Sequence, residues 1–399
     1  MIPCRLMTVP LALLLAGGGI SGSNAASVTS PDARVLTSRT GTPGMLPPSV
    51  RNEAHQAINR GLDWLAEQQK ENGAWSDENF PALTALSLWC FIEGEHPQKK
   101  EIVERAVAFI LSCVRRDGGI YREVPNRKGG GLSNYNTSIC MTALHRTGDR
   151  KHIPIVLAAR RFVARSQYFG DDVYEGGMGY DASTKRAYTD LLNTYYAAEA
   201  MRLTASAEDA RPAGTKPADL DWDAAQRFLR RVQNTAAAGA DETGGFIYNP
   251  TDATKGGQMT NEAGVVLFRS YGSMTYAGLM GLLYADVKPN DPRVRSAVDW
   301  AARHWTLEEN PGMGQQGLYF FYSILTKALS AYRVPQLDTA SDGAIDWRLK
   351  VVNKLLNLQT IENKTGHGYW KNENGRFMEK NEILVTAYSI LALEMIAHE

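Results

Sequence analysis

Two acidic residues of this 399-residue chain share a position relative to a repeated motif. Asp190 and Glu382 each stand four residues before a Thr, Thr194 and Thr386, that opens a run of small and apolar residues. If the two runs are equivalent helices, the carboxylates lie at one level, and if they face a cavity they can act as acid and base or hold a cation. Capping of the first helical turn is the competing interpretation for each carboxylate.

Polar and aromatic residues near the same positions can bind and orient a ligand. The densest stretch runs from 308 to 322, where Pro311 and three Gly residues set a turn that we interpret as a ligand wall. Helix capping is the competing interpretation for the Asn residues, since Asn is a preferred N-cap type. The candidate ligand-binding residues are Asn134, Asn136, Asn193, Glu262, Tyr276, Gln315, Gln316, Tyr319 and Tyr322.

The Cys and His residues do not form a metal-binding pattern. No two Cys residues are close in sequence and no His stands at ligand spacing, so the chain predicts no metal site and no cofactor. We interpret Cys90, Cys113 and Cys140 as buried hydrophobic residues, and a single disulfide among them remains open.

The runs that position these residues recur six times. An amphipathic segment precedes each run, with apolar residues at helical spacing as at Ile58, Leu62 and Leu65. The runs themselves are apolar nearly all round and rich in Ala and Gly, which predicts helices buried on every side. The six runs open at Thr84, Thr137, Thr194, Thr275, Ser323 and Thr386.

Six pairs of an outer and an inner helix predict an all-α fold, the (α/α)6 toroid. A straight solenoid is the alternative, but it needs a polar terminal cap, and the last run, 385–396, is as apolar as the others. Parallel inner helices would place six N-termini on one rim, where backbone N–H groups favour a negatively charged ligand group.

The loops before the inner helices carry a Gly followed by an aromatic residue. Gly permits a positive φ and the aromatic ring wedges between helix pairs, so this motif is structural. Turn residues between 239 and 271 predict an excursion of hairpins over the rim. The motif reads Gln69, Gly73 and Trp75 in the first repeat, and then Gly119 and Tyr121, Gly177, Gly179 and Tyr180, Gly245 and Tyr248, and Gly368 and Trp370.

The N-terminus reads as a cleaved secretory signal. Residues 1–26 contain Arg5, an apolar stretch and small residues that place cleavage near Ala25 or Ala26, which predicts a secreted or periplasmic protein. A short anchoring helix is the alternative, although the stretch is too short to span a membrane. Residues 27–52 are expected to form a flexible leader and residues 53–399 a single toroid domain. Lys plus Arg equals Asp plus Glu, 43 each, so nucleic acid is not an expected partner.

At these repeats the chain resembles the prenyltransferase and squalene-cyclase repeat superfamily of α/α toroids. The resemblance covers roughly residues 54 to 396 and implies an apolar ligand such as an isoprenoid. In the cyclases an Asp-x-Asp-Asp-Thr stretch begins an inner helix and its middle Asp donates a proton. Here the stretch is Asp190-Leu191-Leu192-Asn193-Thr194, and Leu192 cannot donate a proton.

The zinc-binding positions of protein prenyltransferases are also unmatched. In that family Asp and Cys stand four and two residues before the repeat Thr or Ser, and a His stands one residue before it in another repeat. No repeat of this chain has Cys or His there; the third repeat, for example, has Leu192 and Asn193. The resemblance therefore supports the fold and not zinc-dependent prenyl transfer.

Three functions remain open from the sequence. The first is an exported toroid that takes an apolar ligand into its ring. The second is a secreted carbohydrate-active (α/α)6 lyase or glycosidase, which Trp platforms and flanking carboxylates in an open cleft would favour. The third is a protein-interaction scaffold, which a ring filled by its own side chains would favour. The sequence does not decide whether the protein is an enzyme; if it is one, the resemblance implies a terpenoid cyclase or prenyltransferase-like activity.

Overall fold

The computed structural model describes residues 45–125, 131–182, 188–260 and 264–398. The predicted signal peptide and residues 27–44 of the predicted leader lie outside these ranges. The first helix begins at Pro48, within the predicted leader, because Pro is favoured in the first turn of a helix. The helical domain therefore begins before the predicted boundary at residue 53.

Twelve α-helices alternate along the described chain between two kinds. The odd-numbered helices are amphipathic and bury one face, whereas the even-numbered helices are buried nearly all round, as the apolar runs predicted. The odd-numbered, outer helices are α1 (Pro48–Gln68), α3 (Lys99–Ser112), α5 (Ile153–Arg165), α7 (Trp222–Arg231), α9 (Pro292–Arg303) and α11 (Trp347–Leu358). The even-numbered, inner helices are α2 (Pro81–Glu93), α4 (Ser133–Arg146), α6 (Leu191–Leu203), α8 (Gly272–Tyr284), α10 (Leu318–Tyr332) and α12 (Glu382–Ala397).

The inner helices form a closed ring. Each packs against the next in chain order, and α12 returns to pack against α2. The outer helices pack behind them, with α1 against α12 and α3 against α2. The fold is therefore the (α/α)6 toroid, and closure removes the terminal surfaces that a solenoid would have to cap.

In five of the six inner helices the repeat Thr joins the helix to the loop before it. Thr84 lies in the first turn of α2, and its hydroxyl oxygen accepts a hydrogen bond from the Trp75 backbone N–H at 3.0 Å. Thr137, Thr194, Thr275 and Thr386 do the same, and Ser323 makes no such bond in the described chain. The equivalent donors are the backbone N–H groups of Ile120, Met178, Phe246 and Trp370, at 2.9, 3.0, 3.1 and 3.0 Å.

The loop motif has the predicted structural role, with a corrected register. The Trp75 ring is fully buried and its indole N–H donates to the Leu65 carbonyl at 2.7 Å. Gly73 has φ +84°, and a Cβ there would lie 2.1 Å from a backbone oxygen of α3, so only Gly fits. In three other repeats the residue that takes the place of Trp75 is Ile120, Met178 or Phe246, not the predicted Tyr121, Tyr180 or Tyr248.

The two rims of the toroid differ. We call the rim at the starts of the inner helices the N-terminal rim, and it carries the connections from outer to inner helices. These connections are long and include the 239–271 excursion, which contains one hairpin, β1 (Gln258–Thr260) with β2 (Val266–Phe268). The loop before α12 holds the pair β5 (Thr360–Ile361) and β6 (Gly368–Tyr369). The opposite, C-terminal rim has the hairpin β3 (Leu337–Thr339) and β4 (Gly343–Ile345).

Cys90, Cys113 and Cys140 are buried and unpaired, which leaves the interpretation of buried hydrophobic residues. Among the described helices, none is long and apolar enough to cross a membrane.

Candidate functional site

Hydrogen bonds at the N-terminal rim connect each repeat to the next one around the ring. The Asn136 Oδ1 on α4 accepts from the Ala82 N–H of α2 at 2.9 Å, and the Glu379 carboxylate, before α12, accepts from the Phe320 N–H of α10 at 2.8 Å. The other four hydrogen bonds between neighbouring repeats are Asn134 Nδ2 to the Gly179 carbonyl (2.8 Å), Leu191 N–H to the Tyr248 carbonyl (2.9 Å), Ser273 N–H to Asn310 Oδ1 (2.9 Å) and Asn381 Nδ2 to Ser76 Oγ (2.5 Å).

Hydrogen bonds within the chain occupy backbone N–H groups at the helix ends that are expected to attract an anion. At least one first-turn N–H of every inner helix is already paired within the chain, as at Asn193 and Ile383. In the described chain no inner helix therefore has a wholly unpaired first turn, because local N-caps and contacts between repeats use some of these donors. The polar residues of this rim therefore have a structural role, which is to hold neighbouring repeats together.

Three of the predicted ligand-binding residues are buried at the starts of the inner helices. Asn134, Asn136 and Asn193 are each at most 2% exposed. The Oδ1 atoms of Asn134 and Asn193 have no hydrogen-bond partner in the described chain, although both amide groups donate. None of the three Asn residues is the N-cap of its own helix, because that position is Leu132 in α4 and Asp190 in α6. Asn136 instead supplies an acceptor to the first turn of the neighbouring helix α2.

Asp190 is a fully buried N-cap at the start of α6. Its Oδ1 accepts from the Asn193 N–H and its Oδ2 from Asn193 Nδ2, both at 2.8 Å, and the Tyr248 hydroxyl is a further hydrogen-bond partner. Burial raises the pKa of the Asp190 carboxyl to about 6, while the hydrogen bonds and Lys255 oppose this shift. The group has the pKa of a general acid, but no solvent reaches it in this conformation.

The predicted partner of Asp190 is in a different environment. Glu382 begins α12, on the opposite side of the ring from α6, and its side chain is exposed to solvent. The structure therefore does not place Asp190 and Glu382 as a pair lining one cavity. The buried carboxylate of that loop is Glu379, whose pKa is raised by burial and which caps α10.

The predicted Tyr residues face the core instead of an open cleft. Tyr276 packs against the Phe321 ring at 5.8 Å between centroids. Tyr322 donates its hydroxyl to the Leu307 carbonyl at 2.6 Å, and Tyr319 packs edge-on against Tyr322. All three Tyr side chains are at most 3% exposed, so a ligand cannot reach them without a conformational change.

Gln315 and Gln316 are the predicted ligand-wall residues that reach solvent. Gln315 is exposed and donates to the Glu308 carbonyl at 2.8 Å, and Gln316 Oε1 accepts from Arg376 at 2.5 Å. Glu262 lies outside the described residues.

The interior of the ring is filled by its own side chains. A cavity of about 10 Å³ remains near mid-height, which is the space of about one water molecule. Its wall is largely aromatic and aliphatic, and burial raises the pKa of its Tyr hydroxyls well above the usual value. The wall includes Leu86, Trp89, Tyr196, Phe320, Ile324 and Tyr388.

An ion pair lines the same cavity. Lys327 Nζ on α10 is 2.8 Å from Glu199 Oε1 on α6, and the Glu199 side chain is 5% exposed. The same oxygen accepts from the hydroxyls of Tyr195 at 2.9 Å and Tyr284 at 3.2 Å, and Lys327 also stands 5.0 Å from the centre of the Trp89 ring. This cluster joins four inner helices, α2, α6, α8 and α10, across the ring.

Sequence reasoning did not select Glu199 or Lys327. The available signal is a lone charge within each apolar run, five residues after Thr194 and four residues after Ser323. A charge on a helix that has no solvent-exposed face must be paired. Two such charges on separate inner helices therefore indicate a contact across the ring.

Two cations and a strained turn form the outer surface above Asp190. Lys255 Nζ, on the excursion, stands 5.4 Å from the centre of the Tyr248 ring and 5.0 Å from that of Phe377. Arg376 donates to Gln316 Oε1 and to the Thr254 carbonyl, both at 2.5 Å. Arg376 thus joins the loop before α12 to the excursion before α8, across the start of α10.

Exposed apolar side chains concentrate on the N-terminal rim. Eight large hydrophobic side chains are exposed in the described chain, and seven of them lie in connections from outer to inner helices; Met45, before α1, is the exception. The seven are Phe169, Val173, Val265, Val266, Ile361, Phe377 and Met378.

No three His, Cys, Asp or Glu residues of the described chain lie close enough together to hold a metal ion.

Comparison with known proteins identifies the fold but not an activity. No family model and no curated protein sequence matches the chain. The structure is similar to D-mannose isomerase (TM-score 0.52, 12% identity), covering 88% of this chain and 99% of that one. It is also similar to the α-1,6-mannanase GH76A of Salegentibacter sp. HEL1_6 (TM-score 0.51, 11% identity, 88% and 98% covered). A variant of the type II terpene cyclase MstE from Scytonema, in complex with its product merosterolic acid A, has TM-score 0.50 and 13% identity, with 88% and 99% covered. At these identities the likeness shows the (α/α)6 toroid alone.

Proposed function

We propose that this protein is an exported binding module that contacts a partner protein through the N-terminal rim of its toroid. The observation that carries the proposal is the one-sided distribution of exposed apolar side chains, seven of eight on that rim. Exposed hydrophobic groups that cluster on one face favour protein association. The long connections of that rim supply a broad surface on a rigid scaffold.

The ring interior is the argument against an isoprenoid chamber. Pockets that bind small organic ligands typically enclose on the order of 300 to 1,000 Å³, whereas the space at the centre of this ring is about 10 Å³. An apolar ligand would have to displace aromatic side chains such as Tyr196 and Tyr388 and move the Glu199–Lys327 pair. The product complex of the terpene cyclase MstE therefore supports the fold of this protein and does not support a binding mode.

The carbohydrate-active alternative lacks the features that would favour it. Saccharide sites commonly use exposed aromatic platforms with flanking carboxylates. All eight Trp residues are buried or partly buried, and none is exposed. Asp190 is enclosed, and Glu382 is exposed on the surface. In the described chain an open pocket of about 740 Å³ lies between the start of α3 and the loop before α5, and Glu95, Glu104 and Asp149 line it. No Trp, Tyr or Phe lines this pocket, so it lacks the aromatic platform of a saccharide site.

Site-specific photocrosslinking of the full chain, exported by its own host, tests the proposal. A photoreactive residue at Val266 samples the N-terminal rim, and one at Asn290, exposed on the C-terminal rim, is the matched control. We expect a discrete protein adduct at Val266, none at Asn290, and a large loss of the Val266 adduct when Phe377 and Met378 are both changed to Ser.

Three results would reject the proposal. They are equal adducts at both rims, no protein adduct at Val266, or a Val266 adduct that is insensitive to the Phe377 and Met378 substitutions. Circular dichroism of each variant checks that the toroid is intact.

A further inference from the structure

Lys255 and Arg376 are neighbouring cations of the N-terminal rim that lack a counter-ion. In the described chain no carboxylate lies within the 4.0 Å ion-pair distance of either head group. The Arg376 guanidinium donates two hydrogen bonds to neutral acceptors, a side-chain amide oxygen and a backbone carbonyl. Lys255 Nζ stands over the aromatic rings of Tyr248 and Phe377, and Asp190 and Asp252 act on its charge from beyond ion-pair distance.

The acids near this pair are already engaged. Asp190 is fully buried and caps α6, and Asp252 accepts from the Tyr188 hydroxyl at 2.9 Å and the Thr254 N–H at 2.8 Å. Burial and the nearby Arg376 charge lower the pKa of Lys255 although Asp190 and Asp252 act to raise it, so its protonated form would gain from a further anion. The site is therefore complementary to a carboxylate brought by another molecule.

A strained turn holds an apolar surface beside the two cations. Phe377 and Met378 are consecutive residues with φ of +60° and +66°, a region that side chains other than Gly rarely occupy. Each such residue costs on the order of 1 to 3 kcal/mol, so the surrounding contacts must impose the conformation. The turn places the Phe377 ring 5.1 Å from the Arg376 guanidinium and leaves both apolar side chains 39% exposed.

We infer that Lys255, Arg376, Phe377 and Met378 form one recognition site for a segment of a partner protein that presents an Asp or Glu next to an apolar side chain. The inference rests on the proposed rim function and names the chemistry of the partner. The cations pair with the carboxylate, and the Phe377 and Met378 side chains cover the apolar neighbour. Further apolar contacts on the adjacent connections, at Val173 and Val266, suit an extended chain better than a compact ligand.

A displayed library of random peptides, selected on the purified chain, tests this inference. We expect the selected peptides to be enriched in Asp or Glu directly beside Leu, Ile, Val, Met or Phe. Replacing that acid by its amide is expected to weaken binding at least tenfold. The double variant Lys255→Met with Arg376→Met keeps the aliphatic stems and is expected to lose binding by a similar factor, and Lys255→Arg is expected to retain it.

The inference is overturned if no peptide is enriched, if the selected peptides lack acids, or if they bind the double variant as tightly as the parent. These outcomes differ from a failure of the rim function, which is read from the Val266 crosslink. A retained crosslink with a failed selection rejects only the peptide chemistry, whereas loss of the crosslink rejects the rim surface itself.

Discussion

If the ring interior is a packed core, truncating one of its side chains must destabilise the protein as a core substitution does. Leu86, on α2, is 3% exposed and lines the 10 Å³ space at the centre of the ring. Leu86→Ala removes three carbon groups, which is roughly 2.4 kcal/mol of transfer free energy at about 0.8 kcal/mol per group. Incomplete collapse of the new cavity adds up to about 2 kcal/mol, so we expect a loss of about 3 to 4 kcal/mol in the free energy of unfolding.

Urea unfolding followed by circular dichroism measures this loss against two controls. Leu65→Ala removes a fully buried side chain of α1, between the outer and inner layers, and is expected to cost about as much as Leu86→Ala. Ile361→Ala, at a 44% exposed side chain, is expected to cost less than about 0.5 kcal/mol. A loss for Leu86→Ala below about 1 kcal/mol, with Leu65→Ala at its full value, would refute the packed interior and indicate a chamber that tolerates empty space.

Three further outcomes follow from the buried charges. Glu199→Gln leaves Lys327 without its counter-ion, so we expect the unfolding free energy to fall by about 3 kcal/mol. The double variant Glu199→Gln with Lys327→Met is expected to restore part of this loss. Equal losses in the single and the double variant would contradict the pairing. The pKa of Asp190 is about 6 in the folded chain and near 4 when unfolded, so the folded state holds the proton more tightly; this contribution to stability is present below about pH 4 and disappears as pH rises through 6. Because the unfolded carboxyl is already about half ionised at pH 4, this pKa difference corresponds to about 2 kcal/mol between pH 4 and 7. The unfolding free energy of the parent relative to Asp190→Asn should fall by that amount, and a difference independent of pH would contradict burial of the ionisable form. Glu379→Ala removes the cap of α10 and should cost about 2 kcal/mol by calorimetry, with Glu379→Gln intermediate because one acceptor oxygen remains; no difference between the two would show that the cap does not act through its hydrogen bonds.

The fold was predictable because the repeat combines period and composition. Apolar runs without a wet face demand helices buried on every side, and six of them with amphipathic partners are best satisfied by a closed ring. Within that ring the Thr has a role that composition alone does not reveal. At Thr84 and its four equivalents the hydroxyl accepts a loop N–H, a contact that becomes visible only once loop and helix are placed together.

The site was less predictable because the same residue types serve capping and chemistry. Asn136 and Asp190 are polar residues at helix starts, which fits ligand binding, yet Asn136 accepts a backbone N–H of α2 and Asp190 caps its own helix, α6. Side-chain direction separates Glu379 from Glu382: residues three apart in the chain point to the core and to solvent. Spacing from the repeat Thr cannot resolve that difference in a loop without a regular period.

The rim features depend on contacts between distant segments. Lys255 and Arg376 are separated by more than a hundred residues, and each is an ordinary surface cation in the sequence. Their shared environment arises because the excursion before α8 and the loop before α12 meet across the start of α10. No local pattern encodes that meeting, since it depends on the closure of the whole ring.

Native mass spectrometry of the protein purified from its own host, with organic extraction of the same sample, tests the central claim most directly. If the ring is a packed core and binding occurs at the rim, the measured mass is that of the processed chain and the extract holds no stoichiometric apolar molecule. One equivalent of an isoprenoid or another lipid retained by the folded protein would contradict that account.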